Sequence, residues 1–178
     1  MPCSSDAAIR KIPSKWQSWN TKDSQSLHPL QIQIFRRGIE LLKVGGLISY
    51  STCSLNPIEN EAVVAAALKE FKGKIRLVKA ELPGFKFQKG FKSWKFLNLK
   101  SKAKLESKGD EESFFDEYNS FADVPSELHG HVRETMFADH YDAEVLEQLP
   151  ACLRVMPQHQ NTSGFFITII EKIAELDG

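Results

Sequence analysis

The segment from Gly45 to Glu61 constrains the fold more than any other part of the chain. Gly45-Gly46 interrupts whatever precedes it, because glycine tolerates the left-handed backbone found past helix ends. Leu47 to Ser51 is short and apolar with a polar exit, and reads as a strand. Cys53 follows directly. Asn56 is a favoured helix N-cap and Pro57 fits the first helical position. Glu59 falls where a carboxylate can reach back to the cap, and Glu59 and Glu61 both suit the positive end of a helix dipole. The expectation is a buried strand ending in a thiol, then a firmly capped helix running through Ala62 to Phe71. Open α/β sheets place their chemistry at the carboxyl ends of such strands.

The flanking pattern extends this reading. A helix is expected from Ser26 or Pro29 to Lys43, with Leu30, Ile34, Leu41 and Leu42 joining Phe35 and Ile39 in an apolar stripe. Trp16 and Trp19, on a short turn before it, read as packing residues. Gly73 ends the helix after Cys53, and Ile75 to Ala80 reads as another strand. Residues 82–141 lack strong periodicity and read as an insertion, with a polar, flexible loop over 101–113. After a short helix near Ala143 to Leu149, Leu153 to Met156 and Ser163 to Ile170 read as an antiparallel hairpin. The order of elements is that of an α/β chain.

Composition excludes several classes. The 178 residues are 42% hydrophobic and 26% charged, ordinary values for a globular domain with a core. No apolar run approaches the ~20 residues of a membrane span. No signal pattern opens the chain, so its three cysteines read as intracellular thiols, in nucleus or cytoplasm. Net charge is zero but unevenly spread. Between Lys72 and Lys108 twelve basic residues oppose only Glu81 and Glu106, whereas between Gly109 and Glu147 twelve acidic residues oppose only Arg133. The basic block, with its interleaved aromatics, could hold a polyanion, or the two blocks could face each other.

Cys53 admits two readings from the residues alone. A nucleophilic thiol needs help to ionise, and a helix starting at Pro57 would offer a positive dipole end nearby. A buried structural cysteine is the alternative, against which the polar neighbours Ser51, Thr52, Ser54 and Asn56 argue. A Cys-His hydrolase would need a base, and no spacing selects one among His28, His129, His131, His140 and His159. Cys3, Cys53 and Cys152 are too dispersed for a metal site. Cys152, amid Leu149, Ala151 and Leu153, reads as core.

Three segments carry a family resemblance. Pro2-Cys3-Ser4-Ser5-Asp6 with Arg10-Lys11, the run Tyr50-Ser51-Thr52-Cys53-Ser54-Leu55-Asn56-Pro57-Ile58-Glu59-Asn60-Glu61, and Leu153 to Phe166 resemble, in order, motifs of the NSUN (Sun) family of RNA (cytosine-5) methyltransferases. Leu82-Pro83-Gly84 and Thr135-Met136-Phe137 resemble the tRNA-modifying branch. Ser5, Ala7 and Ala8 stand where that family tends to have glycine, glycine and threonine.

The resemblance implies a fold and a chemistry. The fold is the C-terminal portion of a Rossmann-like S-adenosylmethionine-dependent methyltransferase, mainly parallel sheet with a terminal antiparallel hairpin. Residues 1–178 would be the C-terminal part of one methyltransferase domain and 82–141 a family-specific insertion. Cys53 would add to carbon 6 of cytosine in RNA, tRNA in particular, making carbon 5 able to take a methyl group from S-adenosylmethionine. Cys3 would assist product release. Arg10 and Lys11 would bind RNA, and Pro2 is the single candidate donor contact, the rest of that pocket being expected upstream. The polypeptide alone is then expected to be inactive. A non-catalytic RNA-binding or scaffold protein that keeps the fold is the alternative.

Overall fold

A computed structural model describes residues 1–100 and 113–176 of the chain. The expected flexible loop 101–113 therefore lies, apart from Ser113, outside the described residues. The chain order is α1 (Ser14–Ser18), α2 (Thr21–Glu40), β1 (Leu47–Thr52), a 3-10 turn (Pro57–Glu59), α3 (Glu61–Glu70) and β2 (Ile75–Val78). Then come β3 (Gln88–Lys89), β4 (Phe96–Leu99), β5 (Phe115–Tyr118), β6 (Leu153–Val155) and β7 (Phe165–Lys172).

β7 organises the main sheet. One of its edges pairs with β1, Thr52 opposite Phe166 and Leu47 opposite Glu171. Its other edge is shared by β2, Ile75 opposite Lys172, and by β6, Leu153 opposite Ile167. Every pairing among the described residues is antiparallel. The expectation of a mainly parallel sheet is corrected here. β1, β2 and β6 do run in one direction, and α3 links β1 to β2 as a crossover. β7 lies between β1 and the other two and opposes them all, so no parallel pair is hydrogen-bonded among the described residues. The hairpin of β6 and β7 forms as expected, around a short helix at Pro157–Gln160.

The core is built where these elements meet. Phe35 and Ile39 of α2, Tyr50 of β1, Val63, Val64 and Leu68 of α3, and Phe166 and Ile170 of β7 pack together with Leu149 and Cys152. Tyr50 lies between Phe35, 4.8 Å away, and Phe166, 6.3 Å away edge-on. Cys152 is core, as expected, and burial pushes its thiol up to about 12. β4 and β5 form a separate two-stranded sheet beside a second cluster of Phe96, Val124, Val132, Met136 and Phe137, into which Ile58 inserts.

Helix α2 departs from its expected design in two ways. It begins at Thr21, because the Asn20 side chain accepts from Asp23 N at 3.1 Å and caps it there, leaving Pro29 inside the helix. Its buried face is polar over the first half: Thr21, Ser24, Gln25, His28 and Gln31, before Phe35 and Ile39. Leu30, Ile34 and Leu41 of the expected stripe are exposed instead. Trp16 is exposed as well, at 72%, whereas Trp19 packs edge-on against Phe115.

Among the described residues, members of the two charge blocks pair with each other. Lys72 pairs with Asp142 and Glu144, Lys92 with Glu147, Lys95 with Glu117 and Lys100 with Asp116. No described helix is long and apolar enough to cross a membrane.

Candidate active site

Cys53 emerges from the carboxyl end of β1, as the strand reading requires. The turn after it is held by its own side chains. Thr52 Oγ1 accepts from Ser54 N at 3.2 Å and donates to Asn60 Oδ1 at 2.6 Å, and Asn60 Nδ2 donates to Ser54 O at 2.9 Å. The expected continuous helix is broken at Asn60, where φ is −119° and ψ −95°. Asn56 caps the turn by accepting from Ile58 N at 3.0 Å.

The amides of this turn are already engaged. Leu55 N goes to Asp6, Asn56 N to Ser54, Ile58 N to the Asn56 side chain and Glu59 N to the Asn56 carbonyl. The expected dipole assistance to Cys53 therefore has no free N–H behind it in this turn. Glu59 does not reach back to the cap either: its carboxylate accepts from Ser4, Gln31 and Ser54 instead.

The two motif cysteines share one site. Cys3 Sγ lies 3.3 Å from Cys53 Sγ, and both residues are half-buried. Ser5 Oγ stands 3.2 Å from Cys53 Sγ and 3.7 Å from Cys3 Sγ. Burial, and then the bond to Cys53, push the Cys3 thiol up, so Cys3 keeps its proton. Two thiols thus stand side by side, half-buried and within contact of Ser5.

The Cys3 loop is latched to the Cys53 turn along its length. Ala7 N donates to Cys53 O at 3.1 Å, and Asp6 Oδ1 accepts from Leu55 N at 2.7 Å. Burial raises the Asp6 carboxyl above its ordinary range. Gly164, in the hairpin connection, lets this loop close: a Cβ there would stand 2.7 Å from Ala7 Cβ. Ser5 sits at φ 59°, a left-handed conformation that glycine adopts without strain and serine does not.

Other predicted residues surround the pair. Pro2 is exposed, and its carbonyl accepts from Gln31 Nε2 at 2.9 Å. Arg10 and Lys11 are exposed beyond the loop, with the Arg10 guanidinium on Asn161 Oδ1. A cavity of about 240 Å³ lies alongside the motif turn, lined by Asp6, Trp19, Leu55, Pro57, Lys95 and Phe115 among others. Among the described residues no histidine hydrogen-bonds either thiol. His28 is buried between Ile58 O at 2.7 Å and Thr135 Oγ1 at 2.9 Å, and His129 bonds Val124 O.

Sequence reasoning missed the buried frame beneath the thiols. Glu59, Glu61 and Gln31 are all fully buried, and Arg154 nearly so. Arg154 Nε donates to Glu61 Oε1 at 2.6 Å and its Nη2 to Glu61 Oε2, while Nη1 donates to Leu55 O at 2.8 Å. The available signal was the polar residues of α2 recurring at helical spacing, which marks a buried face as surely as an apolar stripe does.

The sequence is 40% identical over 178 residues to the tRNA (cytosine(34)-C(5))-methyltransferase of Drosophila melanogaster, covering 99% of this chain and 22% of that protein. It is 42% identical over 177 residues to the multisite-specific tRNA:(cytosine-C(5))-methyltransferase of Saccharomyces cerevisiae, covering 98% of this chain and 23% of that one. The chain thus spans under a quarter of the length of these relatives. The crystal structure of PH0851 has a similar fold, with TM-score 0.55 and 20% identity over 96% of this chain and 25% of that one. The profile of the family described as 16S rRNA methyltransferase RsmB/F matches residues 1–171, and the chain belongs to that family.

Proposed function

We propose that this chain carries the two-thiol part of an S-adenosylmethionine-dependent RNA cytosine-5 methyltransferase, acting on tRNA. The observation that carries the proposal is the 3.3 Å approach of Cys3 and Cys53, which come from segments fifty residues apart. The names of the relatives quoted above support tRNA as the substrate and carbon 5 of cytosine as the acceptor. In this reading Cys53 Sγ bonds to carbon 6 of an unpaired or flipped-out cytosine. Carbon 5 then takes the methyl group, water takes the proton it loses, and the carbon–sulfur bond breaks. Cys3, held protonated beside Cys53, gives its proton to the departing sulfur and regains one from solvent. Arg10 and Lys11 contact RNA backbone, and residues 82–141 are a family-specific insertion.

S-adenosylmethionine supplies the methyl group. Pro2 is the only position here that the resemblance ties to the donor, and its carbonyl is occupied by Gln31. The described residues do not make a donor pocket. No donor contact is assigned to this chain, and this polypeptide alone is expected not to turn over.

The test uses RNA containing 5-azacytidine, which has no carbon-5 hydrogen to lose and so traps the adduct. With protein from the intact gene, wild type and Cys3→Ala are expected to form the adduct and Cys53→Ala to form none. The opposite pattern would reverse the two roles. A non-catalytic RNA-binding reading is favoured by the strained Ser5 and is removed by any methyl transfer from that gene product.

A further inference from the structure

We infer that Glu59 is the positioning residue that sets the spacing of the two thiols. Its side chain is fully buried, and among the described residues no cation pairs with it. Its Oε2 accepts from Ser4 N at 2.8 Å and from Gln31 Nε2 at 3.0 Å. Its Oε1 accepts from Ser4 Oγ at 2.5 Å and from Ser54 Oγ at 2.9 Å. A buried carboxylate is costly unless its lone pairs are filled, and here four neutral donors fill them.

The donors are not arbitrary. Ser4 follows Cys3 and Ser54 follows Cys53, so one carboxylate grips the residue next to each thiol. Gln31 extends the grip to Pro2, whose carbonyl accepts from the same Nε2 at 2.9 Å. Glu59 is itself fixed from behind, since Tyr50 Oη donates to Glu59 O at 2.5 Å. Glu59 touches neither sulfur; it acts through the two serines. Only a carboxylate can serve here, because an amide of the same shape would turn its own N–H groups toward two of the donors.

The inference rests on the reading that both thiols act in the reaction, but its test needs no RNA. The purified full chain is equilibrated in glutathione redox buffers. One oxidised glutathione takes two electrons from Cys3 and Cys53, which form a disulfide, and two reduced glutathiones leave. Trapping with N-ethylmaleimide and peptide mass spectrometry give the effective concentration of the thiol pair.

Glu59→Gln is expected to lower that concentration about tenfold, since hydrogen bonds to a charged acceptor are lost on both loops. Tyr50→Phe loses a buried hydrogen bond to Glu59 but leaves the carboxylate grip intact, and is expected to change the pair less than about twofold. A purely structural Glu59 would move the pair in proportion to stability in both variants. Should Glu59→Gln not fold, Ser4→Ala removes a single donor, with an expected drop of about threefold. An unchanged effective concentration in whichever of these two variants is folded overturns the inference. Failure of the 5-azacytidine test would instead overturn the role of the thiols and leave this result standing.

Discussion

Replacing Arg154 by methionine removes the charge that answers Glu61 in the core. The two side chains are 2% and 0% exposed. Methionine keeps most of the aliphatic volume and its contact with Phe91, whose ring centre lies 4.0 Å from the Arg154 guanidinium carbon. What disappears is two hydrogen bonds to Glu61 and one to Leu55 O. Glu61 is left with the Phe91 amide, 3.0 Å from its Oε1, as its remaining donor. An uncompensated buried charge of this kind costs about 3–5 kcal/mol. In a domain of this size that corresponds to a fall in Tm of roughly 6–20 °C.

Glu61→Leu alone strands the guanidinium and should cost a similar amount. The double variant leaves only neutral groups unpaired, the Phe91 amide and the Leu55 carbonyl, at about 1 kcal/mol each. Urea unfolding of wild type, both single variants and the double variant, with equal m-values, should therefore give a coupling energy above about 2 kcal/mol. A coupling below about 0.5 kcal/mol would show that Arg154 and Glu61 act independently and would refute the argument.

Burial holds His28 down to about 4 from an ordinary 6.5, so the unfolded chain takes a proton that the folded one refuses. Stability from this residue is complete above pH 6.5 and drains as pH falls toward 4, by ~3 kcal/mol at most. His28→Gln should lack this slope in urea unfolding between pH 7 and 4.5, and an identical slope in both proteins would contradict the assignment. Gly90→Ala would place a Cβ 2.3 Å from Leu149 O and 2.9 Å from Cys152 Cβ, whereas Gly130 has open space. Thermal melts should show a loss of ~1–3 kcal/mol for the first and little change for Gly130→Ala.

The parts of the site that were legible in the sequence are those specified locally. The strand before Cys53, the Asn56 cap, the stop at Gly73 and the β6–β7 hairpin each depend on neighbours within a few residues. Local periodicity misled at α2. The apolar residues Leu30, Ile34 and Leu41 are indeed periodic, but so are Ser24, His28, Gln31 and Phe35, and only the latter set is buried. Both faces satisfy a helical period, and the partner decides which one is buried. The break at Asn60 was hidden for a similar reason, since it is enforced by Thr52 and Ser54 rather than by any helix-breaking residue.

By itself the sequence determined that this is an α/β chain with a thiol at a strand end and a second motif cysteine near the start. Those features follow from side-chain alternation, capping and glycine, whose energetics are local. Only the tertiary structure decided that the thiols stand 3.3 Å apart, that β7 opposes the strands on both its edges, and that lysines of the basic block pair with carboxylates of the acidic one. It also gave Glu59 and Arg154 their partners. Ser4 and Glu59 are 55 residues apart, and Glu61 and Arg154 are 93 apart. No short-range pattern encodes such pairs. Burial makes an unpaired charge intolerable, and that requirement operates only once the chain has closed around it.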